Sequence, residues 1–279
     1  MTRIPLDDSP VVVLLHGWPG LPSDYDAVVD QLGGIRVIRP DLAGFGTAHR
    51  DLASDAEATA EAHAARILAE LDRQGIRGNA IIVGYDIGSR IAQAALRAEP
   101  TRFAGAVLTP AYPGIGDRAA SPALASIFWY QHFHREPVAA ALIDDDEDAV
   151  RTYLGYIFTS WRGDDAPTEP PHLDEIVAAY ARPGAFAASL RWYRANRGYA
   201  ADAEPIATPT AMLWPGGDPL FPVDWSDNLS QHFADVRHEI VEGCGHVVPV
   251  ERPDAVVAAI RGHLGNATGV SAPSRPPRA

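Results

Sequence analysis

Residues 84–88, Gly-Tyr-Asp-Ile-Gly, set one carboxylate between two glycines, straight after the apolar run 80–83 and straight before a helical pattern. Two glycines allow a tight strand-to-helix turn that holds the central side chain at the end of a sheet, and the N-terminus of the next helix favours negative charge there. The bland reading of Asp86 is a helix cap. Three other segments weigh against it. His16-Gly17-Trp18-Pro19-Gly20 follows an apolar run and can aim the Trp18 N–H at the turn. With the Ile87 N–H it would make two donors for an oxyanion. Asp218 and His246 each fall just past a strand-like run, so Asp86, Asp218 and His246 succeed one another as attacking group, acid and histidine.

An aspartate in the attacking position implies displacement at saturated carbon. A serine attacking sp³ carbon would form an ether, which water does not readily cleave. A carboxylate forms an ester, and water can hydrolyse it at the enzyme's own carbonyl. The ionised carboxylate needs no base for the first step, so His246, oriented by Asp218, is free to activate water for the second.

These residues need a scaffold. Short β-rich runs at 11–15, 36–39, 80–83, 103–109, 210–213 and 238–241 alternate with helical patterns. Most are continuous apolar runs, as in strands buried on both faces of a parallel sheet. Helices are expected from Ser23 towards Leu32, from Ser54 with Glu57 completing a capping box, over 91–98, over 225–233 behind Asp224, and over 254–264. The alternation implies a doubly wound α/β sheet. It stops between Tyr112 and Glu204, where the pattern is helical and rich in aromatics. The expected organisation is a core over 1–111 and 205–264, a helical cap over 112–204, and a disordered tail over 265–279.

HGWPG, DLAGFG (41–46), GYDIG, LWPGGDPLFP and EGCGHVVPVERP together resemble the α/β-hydrolase family, and within it the epoxide hydrolases and their dehalogenase relatives. The resemblance extends to about Leu264. It implies an α/β-hydrolase fold with Asp86, Asp218 and His246 as catalytic residues. It also implies two cap tyrosines that protonate the epoxide oxygen. FWYQHFHREP (128–137) is similar to the first donor segment, with Tyr130 on the donor position 44 residues after Asp86, and SLRWYRAN (189–196) to the second, with Tyr193. Any one of nine tyrosines could be a packing residue instead. The expected function is hydrolysis of an epoxide to a vicinal diol. The alternatives are a haloacid or haloalkane dehalogenase using the same Asp86, and a non-catalytic ligand-binding protein. Ile87 stands where the dehalogenases usually carry a Trp or Arg, and Arg90 matches a carboxylate-binding Arg of the fluoroacetate type. Tyr85 stands where the family most often has His. Only 15 residues precede His16, so the family's first hairpin is expected to be truncated, and a second copy of the chain or the cap is a candidate cover for the sheet edge. Phe128, Trp129, Phe133 and Trp161 are candidate substrate-binding walls. His132 and His134 flank the donor segment and are read as surface or core residues.

Composition bounds the rest. In 279 residues the 23 basic side chains are all Arg, which removes Schiff-base and P-loop lysine chemistry. A net charge of −13 argues against nucleic acid and anionic membrane as partners. No apolar run approaches the roughly 18 residues of a membrane span. The lone Cys244 excludes an internal disulfide and fits a reducing compartment, so the expected location is cytoplasmic. No cofactor or metal is expected; the expected partners are a small-molecule epoxide and water, with a homodimer as the candidate assembly.

Overall fold

A computed structural model describes residues 10–112, 118, 126–167, 169–197 and 204–267. Six strands form: β1 (Val11–Leu15), β2 (Arg36–Ile38), β3 (Ala80–Gly84), β4 (Phe103–Leu108), β5 (Thr210–Pro215) and β6 (Val236–Val241). They pair in parallel in the order β2-β1-β3-β4-β5-β6. All six runs expected from the sequence are strands, with ends shifted by one or two residues. The residues of β1, β3 and β5 are all buried, which is why these runs are continuously apolar rather than alternating.

The strand order dictates where the helices go. From β1 to β2 the chain steps one way, and from β2 to β3 it steps back past β1. Right-handed crossovers therefore put α1 (Asp26–Leu32) and α2 (Ala60–Arg73) on opposite faces. Accordingly α2 packs against α3 (Ile87–Ala98), and α1 packs against the last helix, Pro253–Ala267. In α2 the stripe Ala60, Ala64, Ile67, Leu68 and Leu71 is buried, as its helical spacing requires.

Local signals misled in five places. Ser54 and Glu57 make no capping box: residues 55–58 are a 3-10 turn, and Thr59 caps α2 by accepting from the Ala62 N–H at 3.1 Å. A proper cap one turn later outcompetes the pattern. The first helix begins as a 3-10 turn, Pro22–Tyr25, before α1. Residues 223–231 are 3-10 rather than α-helical, and Asp224 is exposed at their start. The helix after the elbow begins at Ile87 and the last one extends past Gly265, so residues 265–267 are helical and not tail. Residues 268–279 lie outside the described residues, as do all but one of those before β1, where a first hairpin would lie. At the edge, β2 exposes Arg36.

Between β4 and β5 stand α4 (Trp129–Phe133), α5 (Pro137–Ile143), α6 (Glu147–Trp161), α7 (Leu173–Tyr180), α8 (Ala185–Ser189) and α9 (Arg191–Ala195). The acidic run 144–148 starts α6: Asp146 accepts from the Ala149 N–H at 3.0 Å. Polar bonds tie these helices to the sheet's loops. Trp18 Nε1 donates to Ser189 Oγ at 3.1 Å, and Tyr180 Oη donates to the Gly20 carbonyl at 3.2 Å. Asn196 donates to the Ala58 carbonyl and accepts from the Ala60 N–H. Arg194 pairs with Asp55 at 2.9 Å.

Gly88 is the tightest point of the α3–β1 contact. A Cβ there would lie 2.2 Å from the Leu15 carbonyl oxygen, whereas one at Gly262 in the last helix meets nothing within 4 Å. Thermal denaturation of Gly88→Ala should show a drop of several degrees or no folded protein. Gly262→Ala should hold or raise Tm, since Ala in a helix is favoured by about 0.5–1 kcal/mol. Equal effects would contradict this packing.

Candidate active site

The strand-to-helix turn after β3 is built by close approach. A Cβ on Gly84 would sit 2.4 Å from the Gly88 carbonyl oxygen, and one on Gly88 would strike β1. Between them Asp86 adopts φ 51°, ψ −124°, a left-handed conformation that costs a non-glycine residue about 1–3 kcal/mol. The surroundings hold it there. The Asp86 N–H donates to Thr109 Oγ1 at 3.1 Å, and the Ser89 N–H donates to the Asp86 carbonyl at 3.1 Å. The result is a side chain standing clear of the backbone at the end of the sheet.

The Asp86 carboxylate has two different neighbours. Oδ1 accepts from the Trp18 N–H at 2.8 Å, and Oδ2 lies 3.2 Å from His246 Nε2. On the other side of the ring, His246 Nδ1 is 2.7 Å from Asp218 Oδ2. Asp218 is held in turn by the Leu220 N–H, which donates to Oδ1 at 2.8 Å. Asp86, Asp218 and His246, 160 residues apart at most, thus meet in one line. Asp218 and not Asp224 is the carboxylate on the histidine. Burial alone would discharge the imidazole, but Asp218 and Asp86 flanking it outweigh burial and push the His246 pKa up to about 10. With carboxylates on both nitrogens, both nitrogens donate and the ring is an imidazolium at neutral pH.

Residues of the β4–β5 helices close over the carboxylate. Tyr130 and Tyr193 are buried, with ring centroids 6.0 Å apart at 89°, and both line a cavity of about 40 Å³ that opens on Asp86 and Ile87. Arg90, Gln131, Arg135 and Phe221 also line it. On this measure a water needs roughly 10–15 Å³, so the space suits a few waters or a small molecule. Burial first, then the Tyr130 and Asp86 oxygens, push the Tyr193 hydroxyl pKa well up, so it stays a protonated donor. Ile87, the second expected oxyanion donor, occupies the first position of α3.

Phe128 and Trp161, expected as substrate-binding walls, do not line the cavity at Asp86 but pack against residues that do or that form the site. Phe128 lies 6.1 Å from Phe221, and Trp161 lies 4.9 Å from Tyr130 and 5.0 Å from His246. Trp129 and Phe133, also expected as walls, line a surface groove of about 630 Å³ with Tyr153 and Tyr156, away from the cavity at Asp86. His132 is exposed. His134 is fully buried in the aromatic cluster beside Tyr193, at 4.4 Å between ring centres, and burial pushes its pKa down to about 3.

Two supports had no legible signal. Glu251 Oε2 accepts from the Gly163 N–H at 3.0 Å and the Gly245 N–H at 2.7 Å, which pins the histidine loop to the end of α6. Tyr85 donates to buried Asp24, whose other oxygen lies 2.5 Å from His172 Nε2. Each depends on partners far apart in the chain. Among the described residues no group of three or more His, Cys, Asp or Glu could hold a metal ion, and no helix is long and apolar enough to cross a membrane.

A carboxylate–histidine–carboxylate line on a parallel sheet, at a strained strand-to-helix turn, defines an α/β hydrolase. Residues 10–253 match the model of the alpha/beta hydrolase fold family, and the chain belongs to that family. It is 26% identical to epoxide hydrolase A of Mycobacterium tuberculosis, covering 90% of this chain and 89% of that protein. It is 27% identical to a soluble epoxide hydrolase of a Corynebacterium species, covering 88% and 87%. A solved structure from a study of novel epoxide hydrolases in metagenomes from hot environments superposes with a TM-score of 0.78 at 26% identity, covering 92% of this chain and 91% of that one.

The raised pKa of His246 has a measurable consequence. A histidine whose pKa is higher folded than unfolded adds stability that is complete below about 6.5 and is lost as pH rises through about 10. Urea denaturation between pH 6 and 10.5 should show wild type losing stability relative to His246→Gln over that window. Parallel curves would mean that the ring is not an imidazolium at neutral pH.

Proposed function

We propose that this α/β hydrolase opens epoxides to vicinal diols through an ester on Asp86. The observation that carries the reading is a carboxylate, rather than a hydroxyl, at the elbow, facing two buried tyrosines across one cavity. Residues 112–204 act as the cap that supplies those tyrosines; 1–111 and 205–264 form the core.

The division of labour follows from the two oxygens of Asp86. Oδ1 is occupied by the Trp18 N–H, so Oδ2 attacks the epoxide carbon. The C–O bond breaks, and Tyr130 and Tyr193 deliver a proton to the departing oxygen. The ester carbonyl is then Oδ1, already at the Trp18 N–H and the start of α3, where the Ile87 N–H adds the second donor. Esterification also removes the negative charge of Asp86 from beside His246. One of the two carboxylates that hold the imidazolium is gone and its pKa falls, so the ring gives up its proton, which restores the tyrosine that protonated the epoxide oxygen, and the neutral imidazole becomes a base for the water that attacks Cγ. Water oxygen enters the Asp86 carboxyl group, the diol leaves with the proton that His246 took from water, and the second water proton passes from Asp86 to His246, restoring carboxylate and imidazolium. No step calls for a cofactor.

A dehalogenase would use the same ester but needs no proton for its leaving group, so the paired tyrosines favour the epoxide; halide release from haloacids and haloalkanes tests the alternative. A ligand-binding protein without turnover has no use for the charge relay.

His246→Gln incubated with an epoxide panel should accumulate a covalent adduct on Asp86, read by peptide mass spectrometry, and Asp86→Asn should form none. In oxygen-18 water, a single wild-type turnover should put label in Asp86 and not in the diol. Label in the diol alone, or no adduct across the panel, would sink the mechanism. Tyr130→Phe and Tyr193→Phe should each cost about 10- to 100-fold in kcat/KM, and the pair on the order of 10⁴.

A further inference from the structure

The cavity in front of Asp86 is lined by two guanidinium groups, Arg90 and Arg135, although the protein as a whole is strongly acidic. Arg90 sits over the Trp192 ring at 5.6 Å. Arg135, at the end of α4, is half-buried and makes one hydrogen bond, from Nε to the Tyr193 carbonyl at 3.2 Å. That bond leaves its two terminal nitrogens uncommitted. The neighbouring arginines are otherwise placed: Arg194 and Arg191 share Asp55, and Arg151 pairs with Asp174. Among the described residues no carboxylate pairs with Arg135. Burial, and then the charge of another cation, Arg197, lower the Arg135 pKa. Holding a guanidinium part-buried without an anion is costly, and its planar fork fits a carboxylate. The Asn196 amide also lines the cavity but is spent on the Ala58 and Trp192 carbonyls and the Ala60 N–H, so it does not compete for that anion.

We infer that the substrate is a compact epoxide bearing a carboxylate, with Arg135 binding the carboxylate while Asp86 attacks the ring. This rests on the epoxide reading above and names its substrate class. The carboxylate takes no part in bond making. It fixes the epoxide between Asp86 and the tyrosines, and the small cavity favours a compact substrate. Fixing the substrate at its far end is worth rate as well as affinity, because Oδ2 must approach the carbon in line with the breaking C–O bond.

Glycidate and glycidol, one anionic and one neutral, are the probes, compared by kcat/KM. Wild type should prefer glycidate by more than about tenfold. Arg135→Gln should collapse that ratio by roughly 10- to 100-fold, and Arg135→Lys should retain part of it. Equal use of glycidol, or a ratio unchanged in Arg135→Gln, overturns the inference. If neither epoxide alkylates Asp86 in His246→Gln, the epoxide reading has failed, and binding separates the two. Glycerate, the diol acid, should still raise Tm more than glycerol in wild type and lose that advantage in Arg135→Gln. Glycerate acting no better than glycerol overturns the anion site.

Discussion

The contact on which the rest depends is the one between Asp86 and two groups that come from opposite ends of the chain. The Trp18 N–H holds one carboxylate oxygen at 2.8 Å, and His246 faces the other at 3.2 Å. For both to be in reach, Asp86 must stand off the backbone at φ 51°. That conformation persists only because Gly84 and Gly88 let β3, α3 and β1 crowd together. Strain at the turn is thus offset by sheet packing, and the same crowding makes the two oxygens of one carboxylate inequivalent. The proposed chemistry uses that inequivalence directly, one oxygen to attack and the other to become the stabilised carbonyl.

The second constraint is electrostatic. In the buried line carboxylate–imidazolium–carboxylate the ring's charge offsets one of the two carboxylates, so the line carries less net charge than it would with a neutral ring, and both ring nitrogens are satisfied. The arrangement is also unstable to alkylation of one end. In the proposed chemistry, that is what lets a histidine too basic to act in the resting protein become a base after Asp86 is esterified.

The helices between β4 and β5 complete the site from above, and they are fastened near it. Ser189 takes the Trp18 indole N–H, Glu251 joins the end of α6 to the histidine loop, and His172 reaches Asp24 behind Tyr85. Each tie lands within a residue or two of Asp86, Trp18 or His246, so the position of Tyr130 and Tyr193 is coupled to that of the carboxylate. Of the candidate walls, Trp161 packs on Tyr130 and His246 and Phe128 on Phe221, and neither lines the cavity. Trp129 and Phe133 show the limit of reading aromatics by neighbourhood, because residues close to Tyr130 in the chain line a different surface.

The sequence by itself determined the sheet, the elbow and the order of its three polar residues. Those are local: an apolar run long enough for a strand, two glycines around one carboxylate, and a loop that must end where its strand ends. It misread Ser54 as a cap because several nearby residues could cap and only packing chose Thr59. What the tertiary structure alone decided is everything that depends on distance through space. It set which oxygen of Asp86 faces which donor and the doubly flanked ring of His246. It placed Arg135 on the cavity with no carboxylate paired to it among the described residues. The physical reason is that charge–charge and hydrogen-bond energies are set by separations of a few ångströms between groups up to 160 residues apart, and spacing along the chain carries no record of those separations.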